Sequence, residues 1–152
     1  MISLARAIAA ANVPVGGCCS PKLPAGLTGS LNQCFKGCEG LDLSAITIPE
    51  GVTSLKEAFS GCRNLSGSLT VPSTVTDMSE CFKSLASDSD IDVTVLAHEI
   101  NKTKWVSAFA YISGHIDLTV SSANQTQING SGSSNTSSIS SGKVTITVDP
   151  SL

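Results

Sequence analysis

Four acidic side chains have a spacing that suits metal chemistry. Asp88, Asp90 and Asp92 alternate along the chain, and Glu99 follows further on in the same segment. This pattern resembles the calcium loop of an EF-hand, in which carboxylates at alternating positions surround a hard cation. Val93, however, occupies the position where the sharp turn of such a loop requires glycine. We therefore favour a solvated acidic segment, with a calcium-dependent binding module as the alternative.

The six cysteines are a second candidate set, for a disulfide or a zinc site. Cys38 and Cys62 occupy the same position in two copies of the repeat described below, and the third copy has Leu85 there. A position that accepts cysteine and leucine alike is a buried apolar position, because a thiol behaves as a small hydrophobic group. A disulfide between copies is the alternative. Zinc is disfavoured because the sequence has no Cys-x-x-Cys pair.

The remaining composition predicts neither catalysis nor nucleic-acid binding. The histidines are His98 and His115, and no nucleophile elbow, phosphate-binding glycine loop or Ser/His/Asp set stands at a recognisable spacing. The chain carries 9 basic and 12 acidic side chains without a basic cluster, whereas binding to phosphate backbones requires one. No apolar run approaches the roughly 20 residues of a membrane-spanning helix. We expect a protein without enzymatic activity, cofactor or membrane span.

A repeat organises the sequence between Leu23 and Leu85. Phe35, Phe59 and Phe82 are 24 and 23 residues apart, and each stands at the same place in a block of matching apolar residues. An apolar residue followed by proline precedes each block. A period in the low twenties that keeps its apolar positions is typical of a solenoid, in which each copy packs only on its neighbours.

Each copy also contains a short strand of the pattern apolar–Thr–apolar, which recurs almost to the C-terminus. Successive side chains of a strand point to opposite faces, so the aliphatic residues enter the core and the threonines form an outward column, about 4.8 Å apart in parallel strands. This column is the candidate contact surface for protein or surface glycan. The alternative is that threonine is present for its β-propensity alone. The candidate residues are Thr47, Thr70, Thr94, Thr119 and Thr147.

The block after each strand resembles the start of a helix, because a possible cap residue is followed three positions later by Glu or Gln. We expect a short helical turn in each copy, on the side opposite the sheet. Gly37 and Gly61 end these turns at a position that favours left-handed backbone. The predicted capping pairs are Ser30/Gln33, Ser54/Glu57 and Asp77/Glu80.

One copy carries a recognisable family pattern. It reads Ile48–Pro-x-x-Val52…Leu55-x-x-Ala–Phe59-x-x-Cys62-x-x-Leu65. This pattern resembles the BspA-like, treponemal-type leucine-rich repeat, well over residues 23–85 and poorly over residues 92–148. The resemblance implies a right-handed leucine-rich-repeat solenoid, mainly parallel β with short helical turns on the opposite side. Proteins of this kind are typically bacterial surface adhesins, parasite surface proteins and phage-borne surface proteins, and are generally not enzymes.

Two segments depart from the repeat. Residues 1–17 predict an N-terminal helix that caps the open end of the solenoid or docks on a partner, and the solenoid then occupies residues 18–152. A loose lipobox at Val15–Gly16–Gly17–Cys18 makes a processed leader the alternative for this segment. Residues 121–142 are rich in Ser, Asn, Thr and Gly, which predicts a flexible loop or linker. We expect neighbouring subunits or a host assembly to bring it into order.

These observations predict a non-enzymatic structural and binding protein at a virion surface or outside the cell. The leading hypothesis is an accessory component of a bacteriophage virion (tail, fibre or capsid decoration), which reaches the outside by lysis and needs no export signal. The alternative is a bacterial cell-surface or secreted adhesin or lipoprotein that binds host protein or glycan. The ends of a solenoid also predict self-association in a homo-oligomer or a larger assembly.

Overall fold

The structure, a computed structural model, describes residues 23–152. This part of the chain is a small α/β fold in which parallel strands form two sheets beside few helices. Residues 1–17, predicted as a cap, lie outside the described residues. The described strands are β1 (Thr28–Ser30), β2 (Gly51–Ser54), β3 (Ser68–Val71), β4 (Ala86–Val95), β5 (Ser113–Val120) and β6 (Val144–Val148). The described helices are α1 (Ser122–Asn129), α2 (Ser133–Ser140) and the one-turn 3-10 helices Leu43–Ala45 and Lys102–Lys104.

The larger sheet places successive strands side by side in the order β3-β4-β5-β6, all of them parallel. Its register pairs Thr70 with Thr94, Thr94 with Thr119, and Thr119 with Thr147. The predicted alignment of the threonines is therefore confirmed for these residues. Strands β1 and β2 form the smaller sheet from segments that precede the repeat blocks, a pairing that the sequence pattern did not predict.

The prediction of a strand around Thr47 is wrong, because residues 46–48 belong to none of the described strands. A one-turn 3-10 helix precedes this segment and diverts the chain. The Oγ of Ser44 in that helix accepts the N–H of Ser68 at 2.9 Å. The Ser68 N–H at the start of β3 is therefore bonded to a side chain and not to the backbone of another strand. The larger sheet begins at β3.

The predicted helical turns are also wrong. The blocks, which we call the turn segments, are consecutive β-turns that lie beside one another. Within one segment, Cys34 N–H donates to Leu31 O at 3.0 Å, while Phe35 N–H donates to Ala58 O of the next segment at 3.0 Å. An α-helix uses its amides internally, whereas here alternate amides join neighbouring segments. The turn segments are residues 31–38, 55–62, 78–85 and 105–112.

The last residue of each predicted capping box has left-handed backbone instead of a helical conformation. The φ angles are 59° at Gln33, 55° at Glu57 and 56° at Glu80. Ser107 has the same conformation in the last turn segment, with a φ of 54°, so the chain turns at this position of every segment instead of continuing as a helix. Gly37 and Gly61 have φ angles of 73° and 68°, which confirms the left-handed conformation predicted for them.

Phenylalanine rings from successive turn segments stack along the core. The ring centroids are 5.2 Å apart for Phe35 and Phe59, 5.5 Å for Phe59 and Phe82, and 6.2 Å for Phe82 and Phe109, with nearly parallel planes. All of these rings are at most 1% exposed. The predicted inward position of phenylalanine is confirmed, and each stacked pair contributes about 0.5–1.5 kcal/mol beyond the burial of its area.

The buried position predicted for the repeat cysteines is confirmed for Cys34, Cys62 and Cys81, whereas Cys38 is only partly buried. The Sγ of Cys62 donates to Phe35 O of the preceding turn segment at 3.0 Å. Burial raises the pKa of the Cys81 thiol, so this side chain stays protonated at neutral pH. These thiols fill the core beside the phenylalanine rings.

The loop predicted for residues 121–142 consists instead of the helices α1 and α2 with their connections. The Ser121 side chain caps α1 by accepting the N–H of Asn124. Asn124 itself is fully buried. Its Oδ1 accepts Ile100 N–H at 2.7 Å and its Nδ2 donates to Ala97 O at 2.6 Å. Bonds within the chain thus order this segment, so the prediction that neighbouring subunits do so is not needed.

Candidate functional site

The larger sheet carries most of the predicted threonine column on its outer face. Thr70 and Thr147 are exposed, and Thr94 and Thr119 are half-buried. Aliphatic neighbours such as Val93 point the other way, into the core. Since parallel strands lie about 4.8 Å apart, the hydroxyls and methyls of these threonines form a row across the sheet. The structure therefore brings together four of the five candidate residues.

Thr47 reaches the start of this row by a different backbone path. Thr47 and Thr70 both line a depression of about 370 Å³ between residues 44–50 and β3. Ile46 and Ile48, which are at most 6% exposed, contribute apolar surface to the same depression. Thr47 and Thr70 thus share a mainly polar depression at the edge of the sheet, which Ser44, Glu50 and Ser68 also line.

A second row of polar residues runs beside the threonines, and sequence reasoning missed it. The sheet register places Asp92 on β4 next to Asp117 on β5. Ser68 on β3 is the other neighbour of Asp92, and Thr145 on β6 is the other neighbour of Asp117. The sequence did contain a signal for this row: each member stands two residues before a threonine of the column. Residues two apart lie on the same face of a strand, so these side chains share the face of the threonines. The outer face therefore combines hydroxyls with a central pair of carboxylates. The members of the second row are Ser68, Asp92, Asp117 and Thr145.

The acidic residues considered for a calcium loop do not surround a common point. Asp88, Asp90 and Asp92 lie exposed along β4, and Glu99 follows beyond the end of that strand. Positions two apart on a strand are separated by roughly 6.6 Å, so an extended strand spreads the carboxylates instead of wrapping them around an ion. Within residues 23–152, no group of three His, Cys, Asp or Glu side chains is arranged to hold a metal ion.

His115 connects β5 with β6 at one edge of the outer face. Its Nδ1 lies 2.8 Å from Gly142 O, and its Nε2 lies 3.2 Å from both Asp117 Oδ1 and Thr145 Oγ1. Desolvation lowers the pKa of His115, but hydrogen bonds to Asp117 and Gly142 outweigh it and hold the pKa above its ordinary value. When protonated, the ring donates to Asp117 and Gly142 together. His115 is therefore a titratable link in the last pair of strands.

Comparison with known proteins gives no relative of this chain: no family model, no curated protein and no solved structure matches it. In the part of the chain that the structure describes, neither α-helix has the length and apolar character needed to cross a membrane. The basis for a function is therefore the outer face of the larger sheet and the surfaces around it.

Proposed function

We propose that this protein is a non-enzymatic binding and structural protein built as a leucine-rich-repeat solenoid of the BspA-like kind. Three features support the proposal. The strands of the larger sheet follow one another in parallel, the turn segments bond to their successors, and the phenylalanine rings stack through the core. Each copy of the repeat then contacts only its neighbours, as in a solenoid.

The protein acts, in this proposal, at a particle surface as an accessory component of a bacteriophage virion. It contacts another protein or a surface glycan through the outer face of its larger sheet. The observation that carries this proposal is the aligned register of the threonine column beside the polar row that contains Asp92 and Asp117. A regular sheet holds these groups rigidly, so binding costs little conformational entropy.

Side chains of α1 and α2 partly close one end of the described chain. Asn135 bonds to Phe109 N–H in the last turn segment, and Asn124 bonds to Ile100 N–H and Ala97 O in the connection that precedes it. Covering backbone groups in this way removes a template for pairing with another chain. Among the strands that the structure describes, β6 stays an edge strand, since it pairs only with β5. In this proposal, assembly with further copies uses an end of the stack or the broad outer face.

Association with particles tests the proposal directly. Full-length protein is produced in its native host, particles are purified by density, and the chain is sought in them by mass spectrometry. The variant Thr94→Lys/Thr119→Lys, which adds two ammonium groups to the centre of the outer face, should no longer be recovered with the particles. A matched variant, Thr136→Lys/Ser140→Lys, adds the same charge to exposed positions of α2 and should remain.

Three outcomes contradict different parts of the proposal. Recovery of the chain with the bacterial envelope instead of particles would assign it to the adhesin class. Equal loss for both double variants would remove the outer face from the account. If both double variants stay with the particles, the outer face is not the contact surface, although the protein is still a component of the particle.

A further inference from the structure

Tyr111 is an aromatic residue in an unusual place. It is the only tyrosine of the sequence, its side chain is 80% exposed, and its backbone φ is 58°. A bulky residue with left-handed backbone is uncommon, because its Cβ crowds the following carbonyl oxygen. The equivalent positions of the earlier turn segments also have positive φ but carry small residues. Those residues are Gly37, Gly61 and Ser84.

Tyr111 borders an open groove of about 440 Å³ between the last turn segment and α2, which we call the Tyr111 groove. Ile112 contributes apolar surface to it and is itself 1% exposed. Lys143 is the charged member among the described lining residues, and its Nζ donates to Ile112 O at 2.9 Å. The remaining lining consists of hydroxyl groups. They belong to Ser133, Ser134, Ser137, Ser138 and Ser141.

We propose that the Tyr111 groove binds a neutral hexose unit of a glycan. An exposed aromatic face packs against the apolar C–H face of a sugar ring, and tyrosine provides a large rigid contact area at low entropic cost. Serine hydroxyls both donate and accept hydrogen bonds, as sugar hydroxyls require. The groove also falls within the range of small-molecule sites, roughly 300–1,000 Å³.

The charge of the groove selects neutral over acidic sugars. Sulfated, phosphorylated or sialylated ligands are bound best by arginine pairs or by several cations. The groove offers one ammonium group, and that group already bonds to a backbone carbonyl. The inference rests on the proposed binding function and names a ligand class for it, at a site separate from the threonine column.

A glycan array probed with the full-length protein tests this inference. The array carries neutral oligosaccharides of glucose, galactose, mannose and N-acetylglucosamine, together with sialylated and sulfated ones. We expect binding to a neutral oligosaccharide. Titration with that oligosaccharide should shift the tyrosine ring signals in NMR spectra, which report on Tyr111 alone. The Tyr111→Gly variant should raise the Kd about tenfold or more, as expected for removal of a central aromatic contact, whereas Tyr111→Phe should change it less than about threefold.

The choice of glycine keeps the test independent of folding, because glycine suits a φ of 58° better than tyrosine does. Val106→Ala is the matched control: Val106 is 45% exposed on the same turn segment and lies outside the described lining of the groove. Its Kd should equal that of the parent chain. Binding of charged glycans only, no glycan binding at all, or undiminished binding by Tyr111→Gly would each overturn the inference. Particle association is measured separately, so these outcomes leave the proposed function itself standing.

Discussion

Asn135 takes the place of a backbone peptide group beside Phe109. Its Oδ1 accepts the Phe109 N–H at 3.0 Å, and its Nδ2 donates to Trp105 O at 2.7 Å. In the earlier turn segments the corresponding amide bonds to a carbonyl of the next segment, as Phe82 N–H does to Ala108 O. Most carbonyls of a helix such as α2 bond to amides of the same helix, and none of them accepts the Phe109 N–H here. A buried side-chain amide therefore completes the last turn segment.

Replacing Asn135 by aspartate tests this relationship, because the carboxylate has the same shape but cannot donate to Trp105 O when ionised. We expect a loss of about 2–3 kcal/mol in the free energy of unfolding, since a buried carbonyl is left without its donor. Urea unfolding followed by circular dichroism measures the loss. Asn129→Asp, at an exposed position on α1, is the control and should cost less than about 1 kcal/mol. Equal costs at the two positions would contradict the role of Asn135.

Phe59 is one of the phenylalanines that stack on a ring at either side. Phe59 contacts Phe35 on one side and Phe82 on the other. Phe59→Ala should lower the free energy of unfolding by about 3–5 kcal/mol through lost burial and a cavity, and Phe59→Leu by a smaller amount. Thermal and urea unfolding provide the measurement, with Val106→Ala as a surface control. A cost below about 1 kcal/mol for Phe59→Ala would show that the stack is absent in solution.

Backbone strain at Tyr111 predicts a stabilising substitution. Tyr111→Gly should raise the free energy of unfolding by up to about 1 kcal/mol, because glycine adopts positive φ without a steric penalty. Gly61→Ala places a Cβ at a φ of 68° and should have the opposite effect of similar size. Differential scanning calorimetry of the two variants checks the signs. Destabilisation by Tyr111→Gly would mean that the ring contributes packing that outweighs its strain.

His115 predicts a dependence of stability on pH. Its pKa in the folded chain is raised by Asp117 and Gly142 against the opposing effect of desolvation. The folded state therefore holds the proton more tightly than the unfolded state. The stabilisation is fully present below the unfolded pKa of about 6.5 and is lost as the pH rises through the folded pKa.

His115→Gln should remove this component of the pH profile of urea unfolding. As the pH rises above about 6.5, the parent chain should lose stability more steeply than the variant. Glutamine can keep a hydrogen bond to Gly142 O without a change in charge, which makes it the suitable replacement. Parallel profiles for the two proteins would show that the ring titrates equally in the folded and unfolded chains.

The inward and outward residues could be predicted from the sequence, whereas the backbone between them could not. The repeat identified Phe35, Phe59 and Phe82 as core and aligned Thr70 with its successors, because period and side-chain alternation determine which face a residue occupies. A helical turn and a series of β-turns bury the same phenylalanines. The two structures differ in whether the backbone amides bond within one segment or to the next segment. That choice depends on the acceptors that the next segment offers, so the sequence of one segment does not reveal it.

The sequence was least informative for residues 121–142. Their few apolar side chains predicted a loop, because the pattern of a helix is normally recognised by its apolar stripe. Here the buried groups include Asn124, Asn135 and Ser138, which bond to the preceding backbone. Polar residues that satisfy backbone groups have no periodic signature. The second polar row differs in this respect: the sequence held its signal, because each member stands two residues before a threonine of the column.

The alignment of the threonines tests the account most directly. Methyl-labelled protein would be examined by NMR for through-space contacts between threonine methyl groups. The account predicts that Thr94 contacts both Thr70 and Thr119, and that Thr147 contacts Thr119 but not Thr70, since neighbouring parallel strands lie about 4.8 Å apart. Contacts of Thr94 with neither Thr70 nor Thr119 would contradict the parallel stacking and the binding surface that depends on it.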